Sequence, residues 1–317
     1  MKRQLQYIGW AIATLLLLPS CNKLMYDDLS DCPQGVNIGF YSKTPCELQA
    51  QYPDAVKQIR LFAFSEDGTL LGSYNADKVA LSKDFRIETD YYHVGETRFY
   101  AWAGSDLTAY DFSAFKVGET KFKDMQVALK RQAETFNRQI PTLYEGEAKL
   151  IQKDRSKEGT FYDDILINLL QVNNRINLFV DEMLSDHEYT SYIEDENSKY
   201  FLDASFAPDT RFRYLPLEEM RVDTYQAHFD IMKIAKGRNA RLVIFDKTAG
   251  REVFNRNIVE ELIFNEGADQ GEVPPANYLD CTHTYNISIK LGAITNMGVS
   301  VTINQWNVVY RKIDLGN

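Results

Sequence analysis

Hydrophobic and polar residues alternate with a period of two at many places along the chain. Val36, Ile38 and Phe40 interleave with Asn37, Gly39 and Tyr41, the pattern of a strand with one buried face. Residues 59–64 (IRLFAF) predict a second strand. Glu66-Asp67-Gly68 follows as a hairpin turn signal, and 70–74 forms the return. Phe85-Arg86-Ile87 and residues 97–103 predict two more strands. Residues 104–135 are mixed, with a short helix expected near 124–131. Residues 143–150 read as a last edge strand of this first stretch. The spacing is irregular and lacks the βαβ rhythm of a parallel α/β fold.

Residues 152–160 (QKDRSKEGT) are a charged break, and a domain boundary is placed there. Beyond it, 165–172 and 175–180 read as one long, bent strand. The polar, tyrosine-dotted stretch 186–200 fits helix or loop. Residues 212–214 and 222–234 carry extended patterns, and 241–245 is a clear strand with a turn at 246–250. Ile258, Val259, Leu262 and Ile263 recur at helical spacing and predict one short amphipathic helix. Near the end, Tyr285, Ile287, Ile289 and Leu291 share a face, as do Val299, Val301 and Ile303. Trp306, Val308 and Tyr310 continue on the opposite parity. A one-residue change of parity implies a bulge near Asn304 and Gln305 within a long terminal strand. No solenoid-period repeat is present. The expected fold is mainly all-β with few short helices: two tandem β-sandwiches, over 35–155 and 156–317.

The first residues have a different character. Lys2 and Arg3 precede an apolar run from Ile8 to Leu18, and Pro19-Ser20 lead to Cys21. This is a secretory signal followed by a cysteine, with Leu18 and Ser20 in the positions of a bacterial lipobox. The run falls short of the ~20 apolar residues of a spanning helix. The alternatives are a transmembrane anchor and an ordinary secretory signal beside an unmodified cysteine. The lipobox reading makes 1–20 a signal peptide, Cys21 the lipidated residue with palmitate-class acyl chains, and 21–34 a tether. One acyl chain binds a membrane only marginally, so stable attachment needs several. The acids Asp27, Asp28 and Asp31 just behind Cys21 fit either surface export or a solvated linker. The expected location is the outer membrane, on the cell surface.

Charge and cysteines narrow the function classes. The chain has 317 residues, 35 basic and 45 acidic; removal of 1–20 takes only Lys2 and Arg3, leaving 33 − 45 = −12. That argues against a nucleic-acid partner and against a polybasic membrane grip. With Cys21 lipidated, Cys32, Cys46 and Cys281 remain. Cys32 and Cys46 are the candidate disulfide, closing a ~15-residue loop; Cys281 bonded to either, or three buried thiols, are the alternatives. No CxxC pair, HExxH, GxSxG, Walker loop or GxGxxG occurs, and His93, His187, His228 and His283 stand apart. Asp163-Asp164 and Glu218-Glu219 are adjacent, so in strands they point to opposite faces. No catalytic residues, metal ligands or cofactors are expected.

Cys21, the block from Tyr26 to Val36 (YDDLSDCPQGV), the Phe40-Tyr41 strand end and Ile303-Asn304-Gln305-Trp306 resemble the FimB-type fimbrillin-anchoring subunits of Bacteroides-class bacteria. Gln305 departs from the glycine more usual there. The resemblance implies a lipoprotein with two transthyretin-like Greek-key β-sandwiches. It implies a place at the base of a fimbrium (pilus) in the outer membrane, shaft subunits as partners, and a role in limiting fibre length and in adhesion. Such fibres grow by strand donation, in which main-chain hydrogen bonds give affinity and alternate side chains give specificity. Val299, Val301, Ile303, Trp306, Val308 and Tyr310 are the candidate subunit interface, and closure of the chain's own sheet is the other use of that strand. The alternative function is a surface lipoprotein that binds glycan or host ligand through Trp102, Tyr192 and Tyr200.

Overall fold

A computed structural model describes residues 32–90, 93–155, 158–221, 224–264, 277–292, 300–304 and 306–309. The expected signal peptide, Cys21, most of the tether, Val299 and Tyr310 lie outside the described residues.

The first half is a sandwich of two sheets. One has the order Phe161–Asn168, Gln34–Tyr41, Arg86–Thr89. The other runs Leu170–Gln171, Leu143–Gln152, Gly95–Gly104, Gln58–Ser65, Leu70–Asp77. Val36, Ile38 and Phe40 from the first sheet meet Ile59, Leu61, Ala63, Phe99, Ala101 and Ala103 from the second. The intervening residues Phe62, Phe64, Tyr100 and Trp102 point to the opposite face and join a second core. Burial on both faces explains why 59–64 is apolar nearly throughout instead of alternating.

The second half repeats the architecture. A six-stranded sheet has the order Glu218–Arg221, Tyr225–Ile231, Asn174–Asp181, Thr284–Lys290, Ser300–Ile303, Trp306–Val309. A five-stranded sheet runs Arg251–Asn257, Arg241–Asp246, Tyr189–Asp195, Phe212–Tyr214, Thr135–Phe136. Ile176, Leu178, Phe229, Ile287 and Ile289 share one core with Ile193, Leu242 and Ile244. In each half the first strand pairs parallel with a late strand: Gln34–Tyr41 with Phe161–Asn168, and Asn174–Asp181 with Thr284–Lys290. Each also pairs antiparallel on its other side, with Arg86–Thr89 and Tyr225–Ile231. The same topology is thus built twice from sequences without a detectable repeat.

Four expectations about strands, helices and their boundaries are corrected. The strand Phe161–Asn168 belongs to the first sandwich, so the crossing between halves falls at Val172 and Asn173, not at 155/156. Within the charged 152–160 stretch, Gln152 ends the strand Leu143–Gln152 and is 3% exposed, and the described residues that follow belong to the connection between the two sheets. The true crossing is buried, Val172 at 4% and Asn173 at 7% exposure, and is marked only by the buried pair Asn173-Asn174, with no run of charges. The single bent strand over 165–180 is three strands, Phe161–Asn168, Leu170–Gln171 and Asn174–Asp181. The helix expected near 124–131 is one tight turn, Phe122–Asp124, followed by the strand Gln126–Leu129. The fourth correction, at the C-terminal strand, is described below with its geometry. The stretch 186–200, open between helix and loop, holds the strands Tyr189–Asp195 and Lys199–Phe201.

The helix expected from Ile258, Val259, Leu262 and Ile263 is present as one wide turn, Ile258–Ile263, with all four side chains buried. Phe264 N–H closes it onto Val259 C=O at 2.9 Å, an i→i+5 bond. Asn257 Oδ1 caps its start, accepting from Val259 N–H at 2.9 Å and Glu260 N–H at 3.0 Å.

Candidate functional site

The outermost described strand of the six-stranded sheet is Trp306–Val309, and it is joined to Ser300–Ile303 as an antiparallel hairpin, with Ile303 opposite Trp306 and Val301 opposite Val308. The change of parity therefore comes from a chain reversal, not from a bulge in one long strand. Asn304 makes the reversal at φ +50°, the left-handed region that asparagine tolerates best among residues with a side chain. Its side chain is fully engaged. Oδ1 accepts from Asn286 N–H at 2.7 Å, and Nδ2 donates to Tyr278 Oη at 2.9 Å and to Thr284 C=O at 3.1 Å. The hairpin is latched to the strand Thr284–Lys290 by its own turn residue.

The hairpin divides the proposed interface residues. Val301 and Ile303 are each 1% exposed and pack into the chain's own core. They close the sandwich and are not surface residues. Trp306 and Val308 lie on the outermost strand, which presents one row of main-chain hydrogen-bonding groups with no neighbour among the described strands.

At the other end of the chain, the first strand is pinned directly behind the tether. Phe161 N–H donates to Pro33 C=O at 3.2 Å, and Gln34 Nε2 donates to Arg155 C=O at 3.2 Å and Gly159 C=O at 2.9 Å. At Gly35 a Cβ would stand 1.8 Å from Thr89 C=O, so only glycine lets the two backbones approach. Thr89 Oγ1 then bridges to the Val36 main chain inside the sheet. Any pull on the tether arrives at a strand paired along its whole length with Phe161–Asn168.

Cys46 is bonded to Cys281, at a sequence separation of 235 and with 5.7 Å between their Cα atoms. The expected Cys32–Cys46 bond is therefore corrected; Cys32 is buried at 6% exposure and is itself disulfide-bonded, with a partner other than Cys46. The loop is closed by reciprocal main-chain bonds between Ser42 and Gln51, at 2.9 and 2.7 Å, so Cys46 is presented at its tip. The disulfide ties the loop after the first strand to Tyr278–Cys281, the helical turn just before Thr284–Lys290. Spacing favoured the short loop because closing it needs no knowledge of the fold. Nothing in the sequence says that Cys281 lies beside Cys46.

The halves are also fused by side chains and by shared strands. Lys199–Phe201 pairs with Gln126–Leu129, and Phe212–Tyr214 pairs with Thr135–Phe136. Trp102, fully buried, donates its indole N–H to Leu202 C=O at 2.9 Å. Arg131 donates to Asp209 at 3.0 Å, with the carboxylate side chain fully buried. Burial raises the Asp209 pKa, but bonds from Ser198 and Thr210 and the Arg131 charge prevail and hold it below the ordinary value. Trp102 and Tyr200 are core residues at 0% exposure and Tyr192 is 9% exposed, so the aromatic platform of the alternative reading is not formed. Among the described residues no group of three or more His, Cys, Asp and Glu side chains is gathered as metal ligands, and no helix is long and apolar enough to cross a membrane.

Comparison with known proteins places these features in a family context. The model of the fimbrillin-A associated anchor proteins Mfa1 and Mfa2 matches residues 29–312. The minor fimbrium anchoring subunit Mfa2 of Porphyromonas gingivalis is 27% identical over 307 residues, covering 94% of this chain and 92% of that protein. The solved structure of the Porphyromonas gingivalis fimbrial anchor protein Mfa2 superposes with a TM-score of 0.76 at 24% identity, over 87% of this chain and 99% of the other. A Bacteroides thetaiotaomicron protein put forward as polysaccharide-binding superposes with a TM-score of 0.74 at 22% identity, over 88% and 98% of the two chains.

Proposed function

Because the chain belongs to the family of fimbrillin-A associated anchor proteins, we propose that it is the membrane-side anchor of a fimbrium, held in the outer membrane by acyl chains on Cys21 and joined to a shaft subunit along its C-terminal hairpin. The observation that carries this reading is the family match across 29–312, nearly the whole span beyond the tether. The hairpin supplies the manner of attachment. Trp306–Val309 accepts a partner strand by edge addition through its main-chain groups, which puts Trp306 and Val308 in the proposed interface. Val301 and Ile303 stay in the home core, so pairing does not require the anchor to unfold its own sandwich. Val299 and Tyr310 flank this edge in sequence and belong to the same proposed interface. As the terminal unit of the fibre, the anchor also limits its length.

The test is a pull-down of the intact lipoprotein from outer membranes. Shaft subunits co-purify with the native chain. A chain ending at Asn304 stays membrane-bound and releases the fibres into the medium, and the deletion strain sheds longer fibres. Normal, cell-attached fibres in the deletion strain refute the reading. Cys21→Ala moves the protein out of the membrane fraction. The lipid has a second readout: with Cys46 and Cys281 joined, the only cysteine left for Cys32 to pair with within the chain is Cys21. A diacylglycerol thioether on Cys21 and a disulfide from Cys32 to Cys21 exclude each other, and Cys32 is disulfide-bonded in the structure; the lipid assignment therefore requires an acylated Cys21 peptide from the mature protein, and recovery of a Cys21–Cys32 linked peptide overturns it.

A further inference from the structure

Asp195 ends the strand Tyr189–Asp195, in register with Phe212, at one end of the five-stranded sheet of the second half. The residue is 3% exposed. Its Oδ1 accepts from Glu196 N–H at 2.7 Å, whereas Oδ2 has no hydrogen-bond partner among the described residues. Burial pushes the carboxyl up to about 6, against the opposing pull of the Glu196 amide and of Arg238. A buried acceptor without a donor is destabilising, and neither the sandwich nor the hairpin edge uses this one.

The same side chain lines a half-open cleft of about 190 Å³, shared with Glu196, Arg211, Gly237, Arg238 and Asn239. One water needs ~15 Å³ of such space, so the cleft has room for a solute the size of a sugar ring. Its charges are balanced, two carboxylates against two guanidinium groups. A phosphate meets Asp195 and Glu196, a metal ion meets Arg211 and Arg238, and neither gains net attraction. Arg238 gives one N–H to Glu196 C=O at 2.7 Å and lies over the Phe206 ring at 4.4 Å; Arg211 meets Glu194 at 3.2 Å. Each guanidinium carries five N–H donors, so both keep donors to spare. A ligand that offers hydroxyl donors and hydroxyl lone pairs together satisfies all these groups at once.

We propose that this cleft is a binding site for a neutral polyhydroxylated ligand of one-sugar-ring size, with Asp195 Oδ2 accepting from a ligand hydroxyl and Arg211 and Arg238 donating to others. The site is separate from the hairpin edge and does not depend on the anchoring role. Saturation-transfer NMR on the full mature chain with glucose, galactose, mannose and fucose tests it, with calcium chloride and sodium phosphate added separately as competitors and read through the sugar signal they displace. Saturation of at least one sugar is expected. Asp195→Asn then weakens it about tenfold or more, because with the amide oxygen kept on Glu196 N–H an NH2 donor stands where Oδ2 accepted. Arg238→Met keeps the contact with Phe206 and removes the donors, and it weakens the same sugar while the thermal midpoint holds. No saturation by any sugar, equal saturation in both variants, or calcium or phosphate binding at Asp195 in place of sugar overturns the proposal.

Discussion

Asn304 and Glu145 show how much single positions decide. The left-handed backbone at Asn304 costs an ordinary residue about 1–2 kcal/mol, and here three side-chain hydrogen bonds compensate. Asn304→Ala is expected to destabilise the fold by about 2 kcal/mol, read as a lower denaturant midpoint at unchanged m-value; Asn304→Gly relieves the backbone but loses the bonds, and falls between. Glu145 carries the opposite lesson. Burial first, and Glu147 second, push its carboxyl up to about 8, and its Oε1 has no hydrogen-bond partner. An acid whose pKa is raised by folding binds more protons folded than unfolded, so its contribution to stability falls as pH rises from the unfolded value near 4.5 through 8. Glu145→Gln should therefore raise the thermal midpoint at pH 8 and leave it near the native value at pH 4; an equal gain at both pH values removes the explanation. The first of these positions was half-legible: the parity change between Ile303 and Trp306 is plain in the sequence, but a bulge and a tight reversal both shift parity by one. The second was illegible, because Glu145 sits in an alternating strand and only the packing of the other half buries it.

Strands were legible where one face meets water and the other a core, as over 36–41 and 285–290, and over 241–245, where a short run of β-branched and aromatic residues ends in a turn signal. They were misread where the environment changes along the chain. The crossing at Val172 and Asn173 is buried, so three strands looked like one, and a connection between sheets with five charges looked like a linker. The excursion over 105–142 was opaque for a related reason. Its short strands complete sheets whose other members lie up to ~80 residues away, so local pattern had little to report. The corrected C-terminal element changes which truncation tests strand addition. A chain ending at Gly298 removes Val301 and Ile303 from the core, and with them about 3–6 kcal/mol of burial. Loss of fibres in that variant would report unfolding. Ending at Asn304 removes only the outer strand, so the core keeps Val301 and Ile303 and the far-ultraviolet spectrum should stay close to native. If the shorter chain is as stable as the longer one, the hairpin is not part of the core and the reading of this element fails.

For the whole molecule the decisive feature is the Cys46–Cys281 bond. On the proposed function, tension runs between acyl chains on Cys21 and a shaft contact at the hairpin. The described first strand begins at Gln34, Trp306–Val309 is one edge of its sheet, and the disulfide joins the loop after the first strand to the turn before Thr284–Lys290. The covalent route from the first strand to the hairpin therefore bypasses the 234 residues between the cysteines, which hold most of both sandwiches. Noncovalent sheets in that stretch need not bear the load at all. Pulling the oxidised chain by its two ends should leave that segment locked, about 800 Å of contour at ~3.4 Å per residue, and a reductant should release it in full. Were Cys32 and Cys46 joined instead, only the 13 residues between them would be hidden, a difference of about 45 Å that force spectroscopy separates without ambiguity from 800 Å. The bond should also matter at rest. Closing so long a loop restricts the unfolded chain strongly, so Cys46→Ser with Cys281→Ser is expected to cost up to about 5 kcal/mol, seen as a lower midpoint that reductant no longer shifts. Cys46 is exposed, so the native protein should respond to mild reductant without prior unfolding. Under tension the reduced anchor would then yield at the junction between its halves, held there by the common core, Trp102, Arg131 and the shared strands without a covalent tie, and fibres should detach from reduced cells at lower shear than from oxidised ones.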